Sequence, residues 1–174
     1  MKHHLTILII VVRLAIGAAL LTALTSFTIS GILIFKGDHV FVQKVVKHLF
    51  MPDAIPESLI PMSIFMFLYG ILVIYGALGA TRIFYCLLNI KNAGIFYENQ
   101  AEEFERAGKN LIWFAILDYV LWCITNIVLF SDYTIFISGI PEFLGIYLIG
   151  ESLLAVNYIF QKGEVIKQEN DLTV

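Results

Sequence analysis

Charge is what this chain lacks. Lysine, arginine, aspartate and glutamate make up 14% of its 174 residues, against a hydrophobic share of 59% and a mean hydropathy of +0.85. A soluble globule of this length needs more polar surface than that to face water, so the composition predicts a membrane protein whose first partner is the lipid bilayer. The net charge of −3 supplies no basic field for nucleic acid. No helix-turn-helix or zinc-finger pattern takes its place, which argues against direct nucleic acid binding.

Cysteine is scarce as well. Cys86 and Cys123 both fall inside apolar runs rather than in an external loop, so no disulfide framework is expected and the two read as packing residues. Lipidation motifs are missing: residue 2 is Lys, and the C-terminus lacks a prenylation cysteine. So are catalytic signatures, since GxSxG, HExxH and a phosphate-binding glycine loop are all absent. His3, His4, His39 and His48 make no metal-ligand spacing with acids or cysteines, and adjacent His3 and His4 would point in different directions on a helix. The expectation is a protein that is not an enzyme and takes no cofactor and no metal; an intramembrane site on Glu151 and Asp118 is the form that catalysis would have to take.

Long apolar runs, by contrast, are abundant. A helix needs ~20 apolar residues to cross the hydrocarbon core, and four segments reach that length, about 5–35, 59–88, 110–130 and 140–160. The expected fold is all-α: an integral membrane bundle of four transmembrane helices, one membrane domain over residues 1–174, with a cytoplasmic tail at 161–174. The first two runs exceed the minimum and must tilt or extend beyond the bilayer. Met1 to His4 followed by an apolar run resembles a signal peptide, but the run continues to Phe35, about twice the ~7–15-residue core of such a signal, so a retained first helix is expected. Boundaries are expected at Lys36 to Asp38, at Pro52, Pro56 and Pro61, from Asn89 to Asn110, and at Ser131 and Asp132.

Four spans put both termini on one side. That side holds Lys2, Lys91, Arg106, Lys109, Lys162 and Lys167, and the other holds Lys36, Lys44 and Lys47, so the positive-inside bias places both termini in the cytoplasm. In the first outer loop Val42, Val45, Val46 and Leu49 follow i, i+3, i+4, i+7 spacing, which predicts a short interfacial helix lying on the membrane. In the cytoplasmic loop Asn99, followed three residues later by Glu102, reads as a helix cap. Glu102, Glu103, Glu105, Arg106 and Lys109 then predict a charged, water-facing helix leading into the third span. Small residues at four-residue spacing, Ala15, Ala19 and Ala23 in the first span and Gly76 and Ala80 in the second, permit close helix packing.

Inside the spans four ionisable residues stand out: Arg13, Arg82, Asp118 and Glu151, one per helix. At ~1.5 Å per residue they lie ~12, ~9, ~10 and ~14 Å from the cytoplasmic ends of their spans, at comparable depth. Left alone, each charge costs ~2.5–3.5 kcal/mol on insertion scales, so a closed polar layer of two cations and two anions is expected. Asn126 and Asn157 extend it if they face inward. Such a layer sets helix register, in which case replacing either acid by an apolar residue destabilises the bundle. Alternatively Asp118 or Glu151 exchanges a proton or cation in transport, or Arg82 snorkels to the surface and leaves the acids protonated.

The cytoplasmic segment Gly94-Ile95-Phe96-Tyr97-Glu98-Asn99, the following Arg106-Ala107-Gly108, and the ending Phe160-Gln161-Lys162-Gly163-Glu164 through Glu169-Asn170-Asp171-Leu172-Thr173-Val174 carry a likeness to a known family. With four spans and this length, the chain resembles bacterial membrane proteins of domain of unknown function 2975 (DUF2975). The family has no established activity. The resemblance implies a four-helix protein of the bacterial cytoplasmic membrane, commonly encoded beside a small Cro/CI-type helix-turn-helix regulator. It therefore implies a regulatory or scaffold component that meets a cytoplasmic transcription regulator. The surface available for that is the loop helix at Asn99, Glu102, Glu103 and Arg106 and the tail at Asp171, Leu172 and Val174, where Gly163 would let the tail dock back. The runner-up is a small proton-coupled transporter or channel built on the intramembrane carboxylates; a homo-oligomer suits either reading.

Overall fold

In hydrocarbon every backbone N–H and C=O must find its partner within the chain, and apolar runs meet that demand as helices. The computed structural model describes residues 2–35, 59–93 and 100–172 together with Val40 and Lys44, and the side chains over 3–35, 59–92 and 100–163. Its helices are α1 (Lys2–Phe35), α2 (Leu59–Ala93), α3 (Gln100–Phe130), the single turn α4 (Ile135–Ser138) and α5 (Ile140–Leu172). Four of these elements are long and apolar enough to cross a membrane, as a multi-pass membrane protein requires. The short helix expected over Val42 to Leu49 lies outside the described residues, apart from Lys44.

Hydroxyl groups inside the apolar helices are satisfied locally. Ser26 Oγ donates to the Thr22 carbonyl at 2.8 Å, Thr81 Oγ1 to Ala77 at 2.7 Å and Thr125 Oγ1 to Leu121 at 2.7 Å, one helical turn back. Helix ends follow local chemistry too. Ser131 takes a left-handed φ of 52° and its N–H donates to the Ile127 carbonyl at 3.0 Å, closing α3. Asp132 then accepts from both the N–H and the hydroxyl of Thr134, which turns the chain back as the boundary at Ser131 and Asp132 predicted. Gly139 separates α4 from α5; Pro141 just beyond it has no N–H to offer the Ile137 carbonyl, so the helix is interrupted there.

The long helices pack in chain order, antiparallel, as a single open row: α1 on α2, α2 on α3, α3 on α5. Contacts between hydroxyls, aromatics and small residues set the register. Ser30 and Ser63 exchange hydroxyl-to-carbonyl hydrogen bonds at 3.0 and 3.1 Å across α1 and α2. The Phe114 ring of α3 lies over Gly76 of α2, and Gly150 of α5 packs on Gly108 and Ile112 of α3. At the end away from the chain termini Leu33, Met62, Phe65 and Met66 form a buried cluster roofed by Trp122 and Phe130. Cys86 and Cys123 are free and buried, in keeping with packing roles. Of the small-residue series, Ala23 is buried and Gly76 packs closely, while Ala15 is exposed. Large apolar side chains such as Leu14 (68% exposed) and Ile159 (67%) face outward, as a lipid solvent allows.

The helices are longer than the apolar runs. At ~1.5 Å per residue α3 and α5, with 31 and 33 residues, span ~45–50 Å, well beyond the ~30 Å hydrocarbon core. The excess lies at the end that carries both termini. There α5 continues through Gly163 to Leu172, so the expected tail is an extension of the helix and Gly163 does not end it. A single glycine costs a helix only ~1 kcal/mol, too little to stop one already propagating.

Candidate functional site

The four expected charges do not form a closed layer within one chain. Among the described residues the ion pairs are Arg106 with Glu102 and Lys109 with Glu105, both one turn apart on the surface of α3. Arg13, Arg82 and Glu151 are exposed. Counting along the antiparallel helices from the Ser30–Ser63, Gly76–Phe114 and Gly108–Gly150 contacts brings these three level with Gly108, within about one helical turn (~5 Å). Asp118, ten residues further along α3, stands ~15 Å deeper. Sequence counting placed all four at one depth because it measured from the ends of apolar runs, whereas the helices are offset by their packing. Of the two asparagines, Asn126 is buried toward the far end, its Nδ2 donating to the Trp122 carbonyl at 2.9 Å. Asn157 is buried toward the terminus-bearing end, so the two do not share a layer.

Asp118 has different company. A cavity of about 240 Å³ opens between α3 and the α4–α5 corner, lined by Asp118, Tyr119, Trp122, Glu142, Phe143 and Ile146 among others. Asp118 Oδ1 is buried and has no hydrogen-bond partner. Glu142 faces it across the cavity closely enough for the two carboxylates to interact electrostatically, and Tyr69 of α2 feels both. No lysine or arginine lines the cavity. Aromatic packing holds its walls: Tyr119 stands 5.2 Å from Phe143 ring to ring and donates its hydroxyl to the Phe136 carbonyl at 2.8 Å, while Trp122 meets Phe65 edge-on at 5.2 Å. Two carboxylates facing one apolar-walled cavity without a counter-charge suit a proton or a small cation between them.

Glu142 is the residue that sequence reasoning missed. It lies beside Pro141, near the start of the fourth run, and hydropathy alone does not single it out. Its pairing with Asp118 depends on how far the Ser131 to Gly139 segment folds back, which hydropathy does not encode.

At the terminus-bearing end α3 and α5 remain packed. Phe104 stacks on Phe160 at 5.5 Å with an interplanar angle of 15°, and Gln100, Phe104 and Ala107 are buried. Glu102 and Arg106 are exposed, as the charged-helix pattern predicts. Glu103 is not water-facing: it is half-buried and accepts from the Cys86 thiol of α2 at 3.5 Å, because it falls on the side of α3 that meets α2. Asn99 and Val174 lie outside the described residues, and Asp171 and Leu172 belong to the last turn of α5. Compared with protein-family models, with curated proteins and with solved structures, the chain finds no match.

Proposed function

We propose that this is a non-enzymatic, multi-pass protein of the bacterial cytoplasmic membrane that regulates or scaffolds a cytoplasmic partner, a small helix-turn-helix regulator being the expected one. The observation that carries this reading is the projection of α3 and α5 past the apolar spans as a packed pair, held by the Phe104–Phe160 stack and decorated by Glu102 and Arg106. The positive-inside bias puts that projection in the cytoplasm, and the resemblance to the domain of unknown function 2975 family supports the partner by association. The test is cross-linking in native membranes followed by mild-detergent purification of the tagged protein and mass spectrometry. Recovery of a helix-turn-helix protein that is lost on deleting 161–174 or on Glu102→Lys with Arg106→Glu supports the reading. Recovery of the protein alone overturns it.

The cavity favours a second reading, proton- or cation-coupled transport through Asp118 and Glu142. It requires pH-dependent cation flux in reconstituted vesicles that Asp118→Asn abolishes and Glu151→Gln leaves intact. Flux that is absent, or indifferent to Asp118, removes it.

A further inference from the structure

Among the described residues the open row leaves two edges free, with Arg13 exposed on the α1 edge and Glu151 on the α5 edge. On the α1 edge Ile10, Arg13, Leu14, Gly17, Ala18 and Leu21 line a shallow groove, and a Cβ added at Gly17 would meet nothing within 4 Å. On the α5 edge Leu144, Leu148, Glu151 and Ala155 are exposed and follow i, i+4, i+7, i+11 spacing, which puts them on one face. Gly145 beside them also opens onto free space. Arg13 has no ion partner among the described residues, and Glu151 is met by the hydroxyl of Tyr147 on its own helix. The two ions have opposite sign and the packing register brings them level, yet α2 and α3 stand between them within one chain.

We propose that the α1 edge of one copy packs against the α5 edge of a second copy, so that Arg13 of each pairs with Glu151 of the other. A two-fold axis along the membrane normal keeps both copies at the same depth and in the same orientation, and it forms both pairs at once. Level with Gly108, the two ions stand at the edge of the apolar spans, where opposite charges on facing copies attract, and Gly17 and Ala18 let the two backbones approach closely. The polar layer that the sequence predicts within one chain is, for these two residues, completed between chains. This goes beyond the proposed function and holds whether or not a cytoplasmic partner binds.

The test is charge reversal read by oligomeric state. Full-length protein is reconstituted in liposomes at low protein-to-lipid ratio, labelled, and counted by single-molecule photobleaching. Wild type is expected as dimers, while Arg13→Glu alone and Glu151→Arg alone each place like charges opposite one another and weaken the dimer roughly tenfold or more. Mixing the two single variants restores both pairs. The substituted glutamate of one copy then faces the substituted arginine of the other, the native Arg13 and Glu151 face each other at the second site, and dimers return between unlike copies only. Pairing within a chain offers no such rescue. A wild type that stays monomeric, single reversals that leave the dimer unchanged, or a mixture that remains monomeric overturns the proposal. Should a reversal fail to insert, disulfide formation in a Cys86→Ala, Cys123→Ala background between copies carrying Leu14→Cys and copies carrying Leu148→Cys decides the matter with wild-type charges. A cross-link supports the interface and its absence overturns it.

Discussion

Gly108 on α3 and Gly150 on α5 meet backbone to backbone: a Cβ added at Gly108 would stand 2.9 Å from the Gly150 carbonyl oxygen, and one at Gly150 would stand 3.0 Å from the Gly108 carbonyl oxygen. The atoms in the way are main chain, which cannot swing aside as a side-chain tip can. Gly150→Ala, which would also place its Cβ 2.7 Å from Ile112 Cγ1, is therefore expected to destabilise the protein by about 1–3 kcal/mol through overpacking. Gly31→Ala, facing open space, should be neutral or stabilising by up to ~1 kcal/mol from helix propensity. Unfolding midpoints in detergent, followed by circular dichroism, compare the two; equal losses would refute the close-approach account.

Asp118 makes the opposite kind of prediction. With Oδ1 buried and unpartnered, Asp118→Leu is expected to raise stability, by about 1–3 kcal/mol for a buried polar group relieved of its desolvation cost. The polar-layer expectation demanded a loss. A lower unfolding midpoint for the leucine variant would show that Asp118 has a stabilising partner, and a higher one would mark it as held for function at a cost to the fold.

The Ser30–Ser63 contact ties α1 to the rest of the row by two reciprocal hydrogen bonds. Ser30→Ala and Ser63→Ala should each cost about 0.6 kcal/mol, the average for interhelical polar contacts in membranes, and no more than ~1.7. Because both bonds belong to one contact, the double variant should lose less than the two singles added together, and a double-mutant cycle that came out additive would dissolve the unit.

Asp132 supplies a pH dependence. Its carboxylate accepts from the Thr134 hydroxyl at 2.7 Å and from the Thr134 N–H at 2.9 Å, which holds its pKa below the ordinary carboxylate value. A group depressed on folding contributes stability above its unfolded pKa, about 3.9, and loses it as the pH falls through the folded value. The α3–α4 turn should therefore keep its amide-exchange protection at neutral and mildly acidic pH and loosen only in strong acid. Asp132→Asn should flatten that response, and an unchanged pH profile in the variant would point to another titrating group.

The four helices were legible because their cause is local: a run of apolar residues long enough for hydrocarbon must bond its own backbone, whatever stands beside it. The same holds for the break at Ser131 and Asp132 and for the exposed Glu102 and Arg106 at the start of α3. Side and depth were less legible. Glu103 looked solvent-facing from its charged neighbours, but it turns toward Cys86, and Arg13, Arg82 and Glu151 share a level that Asp118 does not. Glu142 was hidden beside a proline until the fold-back brought it opposite Asp118.

What the residues determined by themselves was the number of helices, their type and their rough ends, since these follow from hydropathy and turn chemistry summed over neighbours in the chain. The order in which helices meet, their offsets and the openness of the row depend on shape between distant positions: Phe114 over Gly76, Gly150 on Gly108 and Ser30 beside Ser63. Lipid is as apolar as leucine, so no hydrophobic drive selects one helix face over another, and steric fit with a few polar contacts makes the choice. That fit is a property of the folded molecule, and with it the tertiary structure decided which charges lie together and which face out of the chain.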